Sequence, residues 1–395
     1  MPKQNKSTVV DRHVVYDSIQ SINRKDWCVV ADERNIYLSY DYLISLETAM
    51  KGEMDFFYNI SYNHAGKPIL IAALQLVKFV DKRRAYSEAL CKLSYHLHKK
   101  LIDVFTINVL VCGNVFSDGE NGFLWTSELT TEEAMDEICR VVEELKEEKN
   151  IKEKASITLF KEFWPTSSVY SDRLKQRSYR DFMIDVNMIL ELQDTWDSMD
   201  DYLASMKTKF RTRAKSVFKK SAELTIKTLD ESEIIANRNR ISELFGNVIE
   251  KSDFSAGRLN TDVFALFEAH LKDKFLMRAF YLNDEMVGFS TAFSNGDVFE
   301  ANYVGLDYRY NAEYAVYQRI LYDYVEQSLR YGSKELHLGR TAELIKSSIG
   351  ALPKNMTLYA KHRNSVHNIL LKPIIQSISP SEFELRKPFK ESLTS

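Results

Sequence analysis

The chain has 395 residues, 45% hydrophobic and 28% charged, with a net charge of −3 at pH 7. That length favours two domains over one, and the near-balanced charge excludes a protein that binds DNA or other nucleic acid through its overall field, so any basic feature must be local. The thirteen glycines form no GxGxxG, GxxxxGKS/T or GxSxG, HExxH is absent, and no apolar run approaches the roughly 20 residues that span a bilayer.

In chain order, residues 1–25 are polar, without the apolar core of a signal peptide, and read as an N-terminal tip. DWCVVADERNIYLSYDYLISLETAM is an apolar lead-in followed by a helix. FFYNISYNHAGKPILIAALQLVKFV gives two strands around the turn Asn63–Pro68, and AYSEALCKLSYHLHKKLIDV is helical or mixed. FTINVLVCGNVFSDGENGFLW is strand-like and opens on Gly113 and Asn114. TTEEAMDEICRVVEELKEEKN is an amphipathic helix with Thr130 or Thr131 as its cap, and ASITLFKEF is a further strand. Cys28, Cys91, Cys112 and Cys139 are scattered without CxxC or Cys/His spacing. They read as reduced core residues of a cytoplasmic protein with no metal site.

Phe163-Trp164-Pro165 marks a seam, and FMIDVNMIL begins the second half as a strand. The next stretch, DDYLASMKTKFRTRAKSVFKKSA (201–222 at its centre), is the electrostatic anomaly. It carries Lys207, Lys209, Arg211, Arg213, Lys215, Lys219 and Lys220 with no acid among them. Tyr202, Met206, Phe210, Ala214 and Val217 trace an apolar stripe at helical spacing, so one amphipathic helix with a cationic side is expected. Like charges at this spacing repel by amounts comparable to the ~0.2–0.5 kcal/mol of a favourable pair. The face therefore reads as an anion site, with a solvated face whose Lys and Arg stems cover apolar surface as the alternative.

From Lys274 to Gly350 the order is strand, turn, strand, turn, strand, loop, helix, strand, polar loop. The turns are Asn283-Asp284-Glu285 and Ser294-Asn295-Gly296-Asp297, and the loop is Asp307–Ala312. In the helix, Tyr314, Tyr317, Leu321, Tyr324, Val325 and Leu329 form one stripe, and Gly332 ends it. Polar groups gather at the two strand ends, Gly305–Asn311 and His337–Lys346, where open α/β sheets place ligands. Backbone amides at the helix start suit a phosphate or carboxylate. Gly339 permits close approach, Arg340 offers a bidentate fork and Thr341 a hydroxyl. Glu343 and Lys346 are spaced to pair with each other. For acyl transfer to an amine, Glu300 and His337 are the candidate bases and Tyr303 or Tyr308 the candidate acid; His337 reads first as a satisfied, partly buried histidine and second as a base.

DDYLASMKTKFRTRAKSVFKK and VGLDYRYN…ELHLGRTAELIKSSIGA resemble the Fem-like, peptidoglycan-biosynthesis-type acyltransferases of the GNAT superfamily, over residues 35–365. The resemblance implies an α/β (α+β) chain of two tandem GNAT-like domains, each a mixed, mostly antiparallel sheet flanked by helices, at 26–180 and 181–370, with a tail at 371–395. It carries Lys207, Arg211, Gly305, Tyr308, Asn311, Gly339, Arg340, Thr341 and Lys346 over as donor- or anion-binding positions. It also implies an N-acyltransferase that moves an acyl or aminoacyl group from a carrier to an amine on a small-molecule, lipid-linked or cell-envelope precursor. The Gln/Arg-x-x-Gly-x-Gly/Ala loop of acetyl-CoA users is replaced here by YRYNAEYA. Without its glycines the backbone does not wrap a pyrophosphate in the usual way. A donor on tRNA or acyl carrier protein suits the basic helix better, with acyl-CoA in a modified mode as the other choice. The alternative function is a catalytically silent GNAT-fold protein that binds an anionic carrier, RNA or the inner membrane surface through helix 201–222.

Overall fold

The computed structural model describes residues 9–31, 35–80, 106–148, 151, 154–251, 258–369 and 384–390. The segment read as helical or mixed at 85–104, and with it Cys91, lies outside them. The chain divides into two compact units. Among the described residues, one takes in those up to 183 with 258–260 and 356–369; the other takes in 184–251, 261–355 and 384–390.

Unit 1 contains β1 (Val10–Tyr16), α1 (Arg24–Ala31), α2 (Tyr40–Ala49), β2 (Asp55–Asn63), β3 (Pro68–Val80), β4 (Thr106–Cys112), β5 (Phe123–Trp125), α3 (Thr131–Leu145), β6 (Ile157–Phe163) and β7 (Arg180–Phe182). A returning strand, β15 (Thr357–His362), enters the same sheet between β6 and β7. The order is β1-β2-β3-β4-β6-β15-β7, with β5 beside β3, and β4–β6 is its parallel pair. The crossover helix α3 starts with a reciprocal Thr130–Glu133 capping box. It buries Met135, Ile138, Cys139, Val142 and Leu145 against Leu74, Leu110 and Phe160.

Unit 2 contains β8 (Val186–Glu191), α4 (Met199–Ser205), α5 (Thr208–Lys220), β9 (Leu224–Thr228), α6 (Glu231–Ala236), α7 (Arg238–Glu250), α8 (Val263–Leu271), β10 (Phe275–Leu282), β11 (Glu285–Asn295), β12 (Val298–Leu306), α9 (Tyr308–Tyr314), α10 (Val316–Arg330), β13 (Glu335–His337), α11 (Glu343–Ser348) and β14 (Leu352–Asn355). The sheet runs β14-β8-β13-β12-β11-β10-β9, and β12–β13 is its parallel pair. The two-residue turn Asn283-Asp284 joins β10 to β11, with Asn283 left-handed at φ 54°; Gly296, at φ 60°, turns β11 into β12. On one sheet face α10 sets Val316, Ile320, Leu321 and Val325 against Phe299 and Leu336. On the other, Phe267 of α8 packs on Phe275 and Phe293, and Phe245 and Phe264 pack on Tyr303.

Thus each unit is a mixed, mostly antiparallel sheet flanked by helices, with a crossover helix before a parallel strand. Several local expectations are corrected. The single basic helix is two, α4 and α5, because Met206 is extended (ψ 148°) and bridges to Phe389 while the Lys207 amide donates to the Pro388 carbonyl at 2.8 Å. The loop Asp307–Ala312 is largely the helix α9. Asp307 caps it by accepting from the Arg309 amide, and its sequence holds no glycine or proline to oppose a helix. Cys112 and Cys139 are buried, but Cys28 is exposed on α1.

Candidate active site

The parallel register of β12 and β13 covers three rungs, Val298–Glu335, Phe299–Leu336 and Glu300–His337, and ends there. β12 continues six residues to Leu306, paired only with β11 across a register shift. Ser290 faces Val304 and Ala292 faces Ala301, so Asn302 and Tyr303 bulge opposite Thr291. β13 instead follows β8: the Leu338 amide donates to Met188 O at 2.8 Å and the Met188 amide to Gly339 O at 3.0 Å. The two strands therefore part immediately after Glu300 and His337. The bulge is built in, because the Tyr303 amide donates to Thr291 Oγ1 at 3.0 Å. The buried Tyr324 hydroxyl donates between Thr291 O (3.1 Å) and Tyr303 O (3.4 Å).

Paired residues of adjacent strands share a sheet face, so Glu300 and His337 stand side by side on the face that carries Phe293 and α8. Glu300 is 8% exposed and accepts from Asn295 Nδ2 at 2.7 Å. His337 Nε2 lies 2.7 Å from Glu335 Oε2, and this contact holds the Glu335 carboxyl below its ordinary range. Tyr303 sits at the bulge with its ring edge-on to Phe245 at 5.9 Å. The sequence candidates Glu300, Tyr303 and His337 thus all fall at the point where the strands separate.

The Gly339-Arg340-Thr341 segment is a tight turn. Gly339, Thr341 and Ala342 are left-handed, at φ 71°, 61° and 55°. A β-branched residue in that region is strained, and something must hold it. Lys346 does so: it is 4% exposed, and its ammonium donates to the carbonyl oxygens of Gly339 (3.2 Å) and Arg340. The expected Glu343–Lys346 pairing gives way to this clasp.

The start of the crossover helix is largely satisfied from within. Arg309 donates through Nη2 to Asp307 (2.6 Å) and to Glu285 (3.1 Å). Arg240 donates to the same Asp307 at 2.8 Å, and together the arginines, Arg309 first, hold that carboxyl far below its usual range. Asn311 Oδ1 accepts from the Tyr317 amide at 2.9 Å, taking one of α10's first N–H groups. The Tyr308 ring lies 3.3 Å under the Lys251 ammonium. At Gly305 an added Cβ would stand 2.1 Å from the Phe289 ring and 2.9 Å from Leu244, so this glycine serves strand–helix packing.

On α5, Lys207 and Arg211 lie at the N-terminal end, where Arg211 reaches the Ala204 carbonyl at 3.5 Å. Further along, Arg213, Ser216, Val217 and Lys220, spaced i, i+3, i+4 and i+7, line a cavity of about 360 Å³. Ala315, Gln318, Leu321 and Tyr322 of the α10 region complete it, with Leu344, Ile345 and Ile349 near α11 and Arg386 from the C-terminal segment. Of the cationic run read in the sequence from Lys207 to Lys220, Arg213 and Lys220 line this cavity and Lys207 and Arg211 do not; nothing in the sequence pointed to Arg386.

In unit 1 the stretch after β4 closes on itself. Glu162, fully buried, accepts from the Gly119 amide (2.9 Å) and Lys161 (2.7 Å). Glu120 accepts from the Trp164 amide (2.6 Å) and the Tyr170 hydroxyl (2.9 Å). Two carboxylates thus stand beside the strand end that, in unit 2, leads to α10. Among the described residues no group of three His, Cys, Asp or Glu is placed to hold a metal ion, and no helix is long and apolar enough to cross a membrane.

The chain matches no protein-family model and no curated protein. Solved structures do resemble it. FemX superposes with a TM-score of 0.55 at 11% identity, over 92% of this chain and 100% of that one. A tandem GNAT protein from the clavulanic acid biosynthesis pathway, solved without AcCoA, gives 0.52 at 8% identity, over 89% and 98%. At such identities these likenesses speak to fold alone, and the fold is the tandem GNAT fold, shared with FemX.

Proposed function

We propose that this tandem GNAT chain is an N-acyltransferase whose chemistry lies in unit 2. It moves an acyl or aminoacyl group from an anionic carrier (acyl-CoA, acyl carrier protein or aminoacyl-tRNA) to an amine on a small-molecule, lipid-linked or cell-envelope precursor. The observation that carries the reading is the parting of β12 and β13 directly after Glu300 and His337. A gap between strands lets a donor held on the α10 face reach an acceptor on the α8 face, where both candidate bases stand. In unit 1 the corresponding place is filled by Glu162 and Glu120, already engaged by Lys161, backbone amides and Tyr170.

In this scheme the amine arrives as an ammonium and gives a proton to Glu300 or His337. The freed lone pair forms a C–N bond at the donor carbonyl, and the tetrahedral intermediate expels the carrier's thiolate or alkoxide, which takes up the proton that the attacking nitrogen gives up. The work is cytoplasmic, and α5 offers a cationic face for an acidic carrier protein, tRNA or the inner membrane surface.

Replacing Glu300 by Gln tests the assignment. If Glu300 is the base, kcat falls by about 10²–10⁴ while donor affinity is kept. Unchanged turnover would move the role to His337, to be tested by His337→Asn. Donor binding without turnover toward any amine would favour the second reading, a silent carrier- or RNA-binding protein, which the acid-free face of α5 supports.

A further inference from the structure

Residues 199–220 contain neither glycine nor proline, and Tyr202, Met206, Phe210 and Ala214 recur every four residues, a pattern that favours one unbroken helix. The structure has α4 and α5 instead, with Met206 and Lys207 extended between them at ψ 148° and 145°. A break of this kind orphans backbone groups on both sides, because each helical amide donates to the carbonyl four residues back.

The C-terminal segment 384–390 takes up those groups. The Lys207 amide donates to Pro388 O at 2.8 Å, in place of the helical Leu203 O. Ser205 O accepts from the Lys390 amide at 3.2 Å, in place of the Lys209 amide. Ala204 O accepts from the Lys390 ammonium at 2.9 Å, in place of the Thr208 amide. The Thr208 and Lys209 amides themselves have no acceptor among the described residues. Segment and continuous helix thus compete for the same three backbone groups. Phe389 decides the competition: it bridges to Met206, packs on Trp196 at 5.1 Å and on Tyr202 at 5.9 Å, and fills the space over Gly350. One contact opposes it. Arg211 reaches the same Ala204 carbonyl at 3.5 Å, so two cations share one oxygen, with no carboxylate paired to either among the described residues.

We propose that residues 384–390 are a releasable strap that keeps α4 and α5 apart. Seated, the strap holds the break at Met206. Released, it lets 199–220 join into one helix in which Thr208 and Lys209 donate to Ala204 and Ser205. Hydrogen bonds are exchanged nearly one for one, so the balance is set by the Phe389 ring against helix propensity. The strap also rests on α11, where the Arg386 amide donates to Ser347 Oγ at 3.1 Å. That helix carries Lys346 and, through it, the carbonyls of Gly339 and Arg340. Release therefore alters the support of a turn at the candidate site as well as the start of α5. The device does not rest on the acyltransferase reading, and its test needs no donor.

Hydrogen–deuterium exchange of the full chain, resolved to single amides by fragmentation in the mass spectrometer, is that test. In the wild type, the Lys207 and Lys390 amides are expected to exchange through one opening that leaves β11 and β12 protected. Phe389→Ala is expected to slow exchange at Thr208 and Lys209 at least ten-fold. Simple damage to the fold would speed those amides, so a merely destabilised variant is told apart. Thr208→Pro suits the seated form, since proline is accepted at the first helical position after an extended residue, but it forbids the joined helix. Alone it is expected to slow the Lys390 amide; combined with Phe389→Ala it is expected to abolish the slowing at Lys209. Unchanged or faster exchange at Thr208 and Lys209 in Phe389→Ala overturns the strap, as does opening of the Lys390 amide only with global unfolding.

Discussion

The ring of Phe389 lies over Gly350 so closely that a Cβ added to the glycine would stand 2.2 Å from Cε2 of that ring. Gly350 is also left-handed, at φ 106°. Gly350→Ala therefore combines overpacking with backbone strain, and a loss of about 1–3 kcal/mol is expected in urea unfolding.

Asp307 accepts from Arg309 and Arg240, which hold its folded-state pKa below the unfolded value of about 3.9. A depressed carboxyl stabilises the fold above the unfolded pKa, and that contribution disappears as pH falls through the folded one. Asp307→Asn is expected to cost about 1–2 kcal/mol at pH 7, and the gap from wild type to narrow steadily below pH 4. Denaturant melts at pH 7 and pH 3.5 measure both quantities.

Asp323, fully buried on α10, accepts from Arg278 Nε and Nη2 at 3.1 Å each, with Arg319 at 4.0 Å. Removing the carboxylate leaves two arginines facing each other with little water. Asp323→Ala is expected to destabilise by about 3–5 kcal/mol, and Asp323→Ala with Arg278→Met to recover part of that loss. A double-mutant cycle from denaturant melts gives the coupling.

Much of unit 2 was written locally. Asn283-Asp284 and Gly296 sit where a left-handed turn is needed, and alternating apolar strands flank them, so β10, β11 and β12 could be read directly. Glu300, Tyr303 and His337 were nameable one by one, but their meeting was not. It depends on the register of β12 against β13, which a helix separates in sequence. Lys346 reads in the sequence as a partner for Glu343 and, by resemblance, as a donor-binding position; only its burial beside two carbonyls of a left-handed turn shows it to be a clasp. The break at Met206 was hidden because its cause, Pro388 and Phe389, lies at the far end of the chain. The return of β15 to the first sheet was hidden for the same reason: pairing over such separations leaves no local pattern.

The central claim, that unit 2 holds an anionic acyl donor for transfer to an amine, meets its most direct test in thermal-shift titration of the full chain. Acetyl-CoA, a long-chain acyl-CoA, an acyl carrier protein and an aminoacyl-tRNA serve as the four donors. At 100 times its dissociation constant a bound donor adds roughly 2.7 kcal/mol to the folded state, a clear rise in melting temperature. The account predicts such a rise for one donor class, kept in Glu300→Gln. No shift with any of the four would contradict it.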